Sequence, residues 1–119
     1  MNRLFISLSL VTCSFSAFSE VTYSLKQLQE KINSQHRPEV RLSVKIGEAN
    51  NFASLDSCKD WLTNQMQSYI NKKYPYVIDL DGSLGQYNIK IYTENKRYTF
   101  DCMIAPTVNA TIYEAKYQG

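Results

Sequence analysis

Hydrophobic positions along this chain change period several times, and each change marks an expected element. In SLKQLQEKINSQH (24–36), Leu25, Leu28 and Ile32 fall on one helical stripe, and Ser24 followed by Gln27 is a capping-box pair. The pattern predicts a short helix or arm, ended at Arg37-Pro38 because the residue before a proline disfavours helical backbone. VRLSVKI (40–46) alternates strictly, with Val40, Leu42, Val44 and Ile46 on one face, so a half-buried strand is expected, followed by a turn at GEANN.

The strongest signal is SLDSCKDWLTNQMQSYINKKYP (54–75). Cys58, Trp61, Leu62, Met66, Tyr69, Ile70 and Tyr74 recur at three- and four-residue steps. Ser54 or Ser57 is the expected cap, Asp56 and Asp60 suit the positive helix end, Lys72 and Lys73 the negative end, and Pro75 the stop. Four strands are expected after it: 76–81, 86–94, 98–104 and 107–117. In the second, Tyr87, Ile89 and Ile91 share a face; in the third, Tyr98, Phe100, Cys102 and Ile104 do. The short connections GSLG and ENKR favour antiparallel hairpins.

The resulting order, β-α-β-β-β-β with a possible leading helix, predicts an α+β fold. One long amphipathic helix would pack on one face of an antiparallel sheet of about five strands. In topology alone this layout resembles the cystatin-like architecture. The cystatin inhibitor signature, Gln-x-Val-x-Gly, does not occur in the chain, so no residue and no inhibitory activity is carried across.

The N-terminus changes how the cysteines are read. A basic start at Arg3, the short apolar run LFISLSLV and the small-x-small triplet Ala17-Phe18-Ser19 have the form of a secretory signal spanning 1–19, cut before Glu20. The run is too short to span a membrane, so no transmembrane segment is expected in the mature chain. The alternative is LVTC (10–13), which has the outline of a lipoprotein box anchoring the chain through Cys13, with Thr12 a poor fit. The expected address is therefore the periplasm or the extracellular medium, with 20–119 as one small domain. Of the three cysteines, Cys58 and Cys102 then remain, each on the apolar side of its element. In an oxidising compartment they are expected to form a disulfide.

Charge and chemistry mostly exclude. A formal charge of +2, from 13 basic and 11 acidic residues interspersed along the chain, leaves no basic stripe, so nucleic acid is not an expected partner. The only histidine, His36, stands beside Arg37 in an expected loop. It offers no metal-ligand spacing and no Ser-His-Asp signature. DLDGS (79–83) opens like a calcium loop, but the twelfth position is Lys90 rather than Glu, so it reads as a strand ending in an Asp-Gly turn. Asp79, Asp81 and Asp101 show no spacing that points to glycoside chemistry. Asn109-Ala110-Thr111 is a glycosylation pattern inside an expected strand. No catalytic residue, metal or cofactor is therefore expected.

Nine tyrosines supply the positive hint. Alternation puts Tyr92, Tyr113 and Tyr117 on strand faces opposite the core, where they would form an aromatic patch for a partner protein. The helix exterior, with Lys59, Asn64, Gln67 and Asn71, is less suited to binding because such side chains are costly to order. The expected class is an exported, non-enzymatic binding protein, of the inhibitor or immunity type, acting on a toxin or cell-envelope hydrolase. The alternatives are an accessory subunit of a surface or secretion assembly, pairing through a strand edge, and a small enzyme or toxin.

Overall fold

In a computed structural model the described residues are 20–119. The expected leader, its cleavage site and Cys13 lie outside them. The elements are α1 (Leu25–Asn33), β1 (Val44–Phe52), α2 (Leu55–Asn71), β2 (Tyr76–Asp81), β3 (Gln86–Tyr92), β4 (Lys96–Ile104) and β5 (Val108–Lys116). All five strands form one antiparallel sheet in the order β1-β5-β4-β3-β2. The first and second strands thus stand at opposite edges, and α2 carries the chain from one to the other. The α+β class and the five-stranded sheet agree with the sequence reading.

Both helices are capped alike. Ser24 and Ser54 accept from the backbone of Gln27 and Ser57, whose side chains bond back to the cap backbone. Each helix ends in a left-handed residue, Gln35 (φ 61°) after α1 and Lys73 (φ 62°) after α2. After α2, the Lys73 amide donates to Ile70 and the Tyr74 amide to Tyr69, closing a Schellman motif. The rings of Tyr69 and Tyr74, 6.5 Å apart, make the apolar contact that accompanies it. Lys72 and Lys73 therefore lie just beyond the last turn rather than in it, and the helix is already closed before Pro75.

The helix α2 seals one face of the sheet. Cys58, Leu62 and Met66 pack with Ile89, Ile91, Phe100, Cys102, Ala110 and Ile112. Within this core the Cys58–Cys102 disulfide joins the first turn of α2 to β4, with Cα atoms 6.2 Å apart. Tyr69 packs against Tyr98 at 4.9 Å and Phe52 against Trp61 at 6.0 Å, closing the two ends of the layer.

Three expectations need correction. The layout of one helix on one face does not hold, because the leading helix read as possible is present as α1 and packs against the other face of the sheet. There its Leu28 packs with Tyr92 and Tyr117, flanked by Val21, Tyr23, Ile32, Val40 and Val77. Second, GEANN is not a turn but the body of β1, which runs over 44–52 instead of 40–46. Pairing with β5 overrides the local preference of Gly and Asn, and the misfit emerges as register shifts at Lys45/Gly47 and Ala49/Phe52. Asn51 takes the left-handed conformation there, at φ 63°. Third, the alternating side chains Leu42, Val44 and Ile46 are not half-buried. They are 91%, 60% and 50% exposed at the open edge, and ahead of β1 Val40 touches the sheet through a single bridge to Tyr117.

Tyr117 anchors the arm that precedes β1. Its hydroxyl lies 2.6 Å from the Thr93 carbonyl and 3.0 Å from that of Lys96, at the β3–β4 turn. Its ring meets Tyr23 edge-on at 4.9 Å. Burial, with Tyr92 and Tyr23 alongside, pushes its ionisation upward, so the hydroxyl remains a donor.

Three outcomes are expected. Replacing both bridged cysteines with alanine opens a loop with a sequence separation of 44, which in the chain-entropy account costs ~4 kcal/mol. Urea denaturation should show a lower midpoint, and an unchanged midpoint would mean that the bond constrains nothing. Tyr117→Phe should cost about 1 kcal/mol, the net value of a lost hydrogen bond. Tyr117→Ala should cost ~3–5 kcal/mol, because it empties the cluster under α1.

Candidate partner-binding face

Strand alternation puts two different chemistries on the two faces of the sheet. On β3, Tyr87, Ile89 and Ile91 face α2, so Gln86, Asn88, Lys90 and Tyr92 face the other way. On β4 the same rule sends Arg97, Thr99 and Asp101 to that second face, and on β5 Asn109, Thr111 and Tyr113. The helix α1 covers only the end that carries Tyr92 and Tyr117. Among the described residues no helix covers the rest of the face, which is a polar surface.

Its centre is a linked set of hydrogen bonds. Asp101 is only 8% exposed, and its Oδ2 accepts from Gln86 Nε2 at 2.7 Å and from Asn88 Nδ2 at 2.8 Å. A carboxylate so buried needs such donors, because desolvation otherwise disfavours its charge. Asn88 Oδ1 in turn accepts from Lys90 Nζ at 2.6 Å. The same ammonium donates to Asp79 Oδ2 at 2.7 Å. Asp79 is finally held by the Arg37 guanidinium, which reaches from the segment after α1 and donates to both carboxylate oxygens. Two cations and two anions alternate along this chain of side chains, so no single sign dominates the face.

The Arg37 hydrogen bonds lead the causes that pull the Asp79 carboxyl down from 3.8 to about 2, with Lys90 assisting and partial burial opposing. Asp81, by contrast, serves its own turn: the Ser83 side chain, and then the Ser83 amide that donates to Oδ1 at 3.0 Å, lower its pKa. Gly82 (φ 95°) and Gly85 (φ 80°) supply the backbone that the β2–β3 turn demands, as read for DLDGS. Towards α1, Arg97 Nε is buried without a partner among the described residues.

The tyrosine patch expected here does not form. Tyr92 is 1% exposed and Tyr117 2%, both enclosed by α1 and the arm before it. Alternation placed them correctly on the face away from α2, but an apolar stripe on α1 required cover and took them. Tyr113 stays half-buried on the polar face, paired in register with Thr99 on one side and Lys45 on the other. Lys59, Asn64, Gln67 and Asn71 are exposed on α2 as expected. His36 is exposed, with Nδ1 3.3 Å from Ser34 Oγ. Asn109 uses its side chain internally, accepting from the Asn51 amide at 3.1 Å and donating to the Thr107 carbonyl at 3.2 Å.

Among the described residues no three His, Cys, Asp or Glu side chains gather closely enough to hold a metal ion. No described helix is long and apolar enough to cross a membrane. The Arg37–Asp79 pair joins residues 42 apart, and local spacing marks Lys90 only as the twelfth position of an incomplete calcium loop, so no local pattern shows the whole network. The regular polar alternation of Gln86, Asn88 and Lys90 was the available signal. No protein-family model, curated protein or solved structure matches the chain.

The depressed Asp79 pKa fixes a pH dependence. Because the folded value lies below the unfolded one, the stabilisation is fully present above about pH 4 and is lost as pH falls toward 2. Asp79→Asn should therefore cost about 1 kcal/mol at neutral pH, as expected for partly solvated ion pairs. The gap from wild type should close in acid. Urea titrations at several pH values measure it, and a gap that stays constant into strong acid would contradict the assignment.

Proposed function

We propose that this chain is an exported, non-enzymatic binding domain that holds a partner protein against the polar sheet face around Asp101, Lys90 and Tyr113. The activity that fits best is neutralisation of a toxin or a cell-envelope hydrolase. The observation that carries the reading is the ordering of that face before any partner arrives. Gln86 and Asn88 are fixed by Asp101, and Lys90 and Arg37 by Asp79. Side chains already held in place lose little entropy on binding, which is what makes a polar surface adhesive. The half-buried Tyr113 adds an aromatic with few torsions to freeze. The disulfide supports an oxidising compartment, and hence export.

A second reading, an accessory subunit that pairs through a strand edge, is favoured by β1, which stands at the margin of the sheet with Val44 and Ile46 exposed and Leu42 exposed just before it.

Photocrosslinking in envelope extracts tests the main reading. A benzophenone side chain placed at Thr111 should yield one discrete adduct with a protein of different sequence, and the same group at Asn64 on α2 none. Against the partner so identified, Tyr113→Ala and Lys90→Gln should each weaken binding at least tenfold while the thermal midpoint moves little. Adducts from Asn64 alone, or wild-type affinity in both variants, would place the partner elsewhere.

A further inference from the structure

The β1 edge carries a pattern that is complementary to itself. In a regular strand, positions three apart point to opposite faces. In β1 the register shift between Lys45 and Gly47 inserts one extra residue, Ile46. Lys45 and Glu48 are thereby brought onto the same face, opposite Tyr113 and Thr111 respectively, and their side chains meet at 3.2 Å. Val44 and Ala49 fall together on the α2 face, opposite Glu114 and Ala110. The sequence Val44-Lys45-Ile46-Gly47-Glu48-Ala49 then reads the same way from both ends about its centre: apolar, charged, bulge, opposite charge, apolar.

We propose that β1 joins β1 of a second copy of this chain, antiparallel about a two-fold axis through the bulge, so that one sheet runs through both copies. In that register Lys45 of each copy faces Glu48 of the other, and Val44 faces Ala49. An isologous contact requires that if one position meets another, the reverse also holds, and this strand satisfies that for both its charges and its apolar residues. Opposite charges directly across a strand pair stabilise it, and like charges destabilise it. A bulge commonly blunts an edge against such pairing. Here the inserted residue is a half-exposed isoleucine, so the irregularity adds apolar surface at the axis. The two short ladders meet over a small area, which makes the dimer weak and reversible rather than obligate.

This inference deepens the strand-edge reading and is independent of the polar face. Sedimentation of the purified protein over a range of concentrations tests it. The wild type should show a reversible monomer–dimer equilibrium that weakens with added salt. Lys45→Glu and Glu48→Lys each set like charges across the axis and should weaken the dimer at least tenfold. The double variant, and an equimolar mixture of the two single variants, should restore it. Ile46→Lys should leave a monomer with wild-type circular dichroism. A wild type that remains monomeric at every concentration, a dimer indifferent to the single changes, or a double variant that fails to recover would each overturn the assignment. Crosslinking from Thr111 to a different protein should survive in Ile46→Lys, so loss of the dimer and loss of the polar-face partner are separate results.

Discussion

Cys58 sits in the first turn of α2 and Cys102 sits on β4, the central strand of the sheet. Their bond therefore fixes more than the distance between a helix and a strand. Because β4 alternates, holding Cys102 under the helix also holds Phe100 there and sends Asp101 and Thr99 to the other side. The unbroken β3–β4 and β4–β5 registers then pass that choice to both neighbours. A slip of one residue would put a carboxylate in the apolar core, so the pairing has little freedom. The face that receives α2 and the face that stays polar are two consequences of one constraint.

The polar face solves a problem that the same constraint creates. Asp101 follows Phe100 and precedes Cys102, so it must emerge beside the tightest part of the core and is nearly enclosed by its neighbours. Gln86 and Asn88 satisfy it because the antiparallel register puts Asn88 directly opposite Asp101, and Gln86 one step along the same face. Lys90 follows at the next polar position; it is paired with Val77 on β2 and reaches Asp79, two residues further along that strand. The line ends on Arg37, which couples the segment after α1 to the sheet. Pairs this open to solvent add little stability each, and their effect is to hold long polar side chains in one arrangement.

The sequence made α2, β3, β4 and β5 legible because each keeps one period over seven or more residues, and the disulfide followed from where those periods put two cysteines. It misled where a local signal competed with pairing. Gly47, Asn50 and Asn51 have turn chemistry, yet the demand of β5 for a partner carries them into β1 as bulges. It misled again over Tyr92 and Tyr117, because alternation tells which residues share a face but not what lies on that face. Whether α1 docks there depends on contacts between residues 20 to 40 and the far end of the chain. Tyr23 with Tyr117 and Val40 with Tyr117 are two of them, and neither is encoded in a local pattern.

The edges and faces of this sheet are consequently under different physical demands. Substitutions on the α2 face or in the Leu28–Tyr92–Tyr117 cluster remove buried apolar contacts, each worth several kcal/mol, from a domain whose whole margin is only ~5–15 kcal/mol. On the polar face, Tyr113, Thr111 and Lys90 are partly buried but lie outside both apolar clusters, so changes there act mainly on what the surface can hold. The β1 edge differs again. Its exposed Val44 and Ile46 contribute little to the folded monomer, and their apolar character acts only where another strand lies beside them. Stability, recognition on the face and pairing at the edge therefore draw on almost separate sets of residues, and a change in one set leaves the other two largely intact.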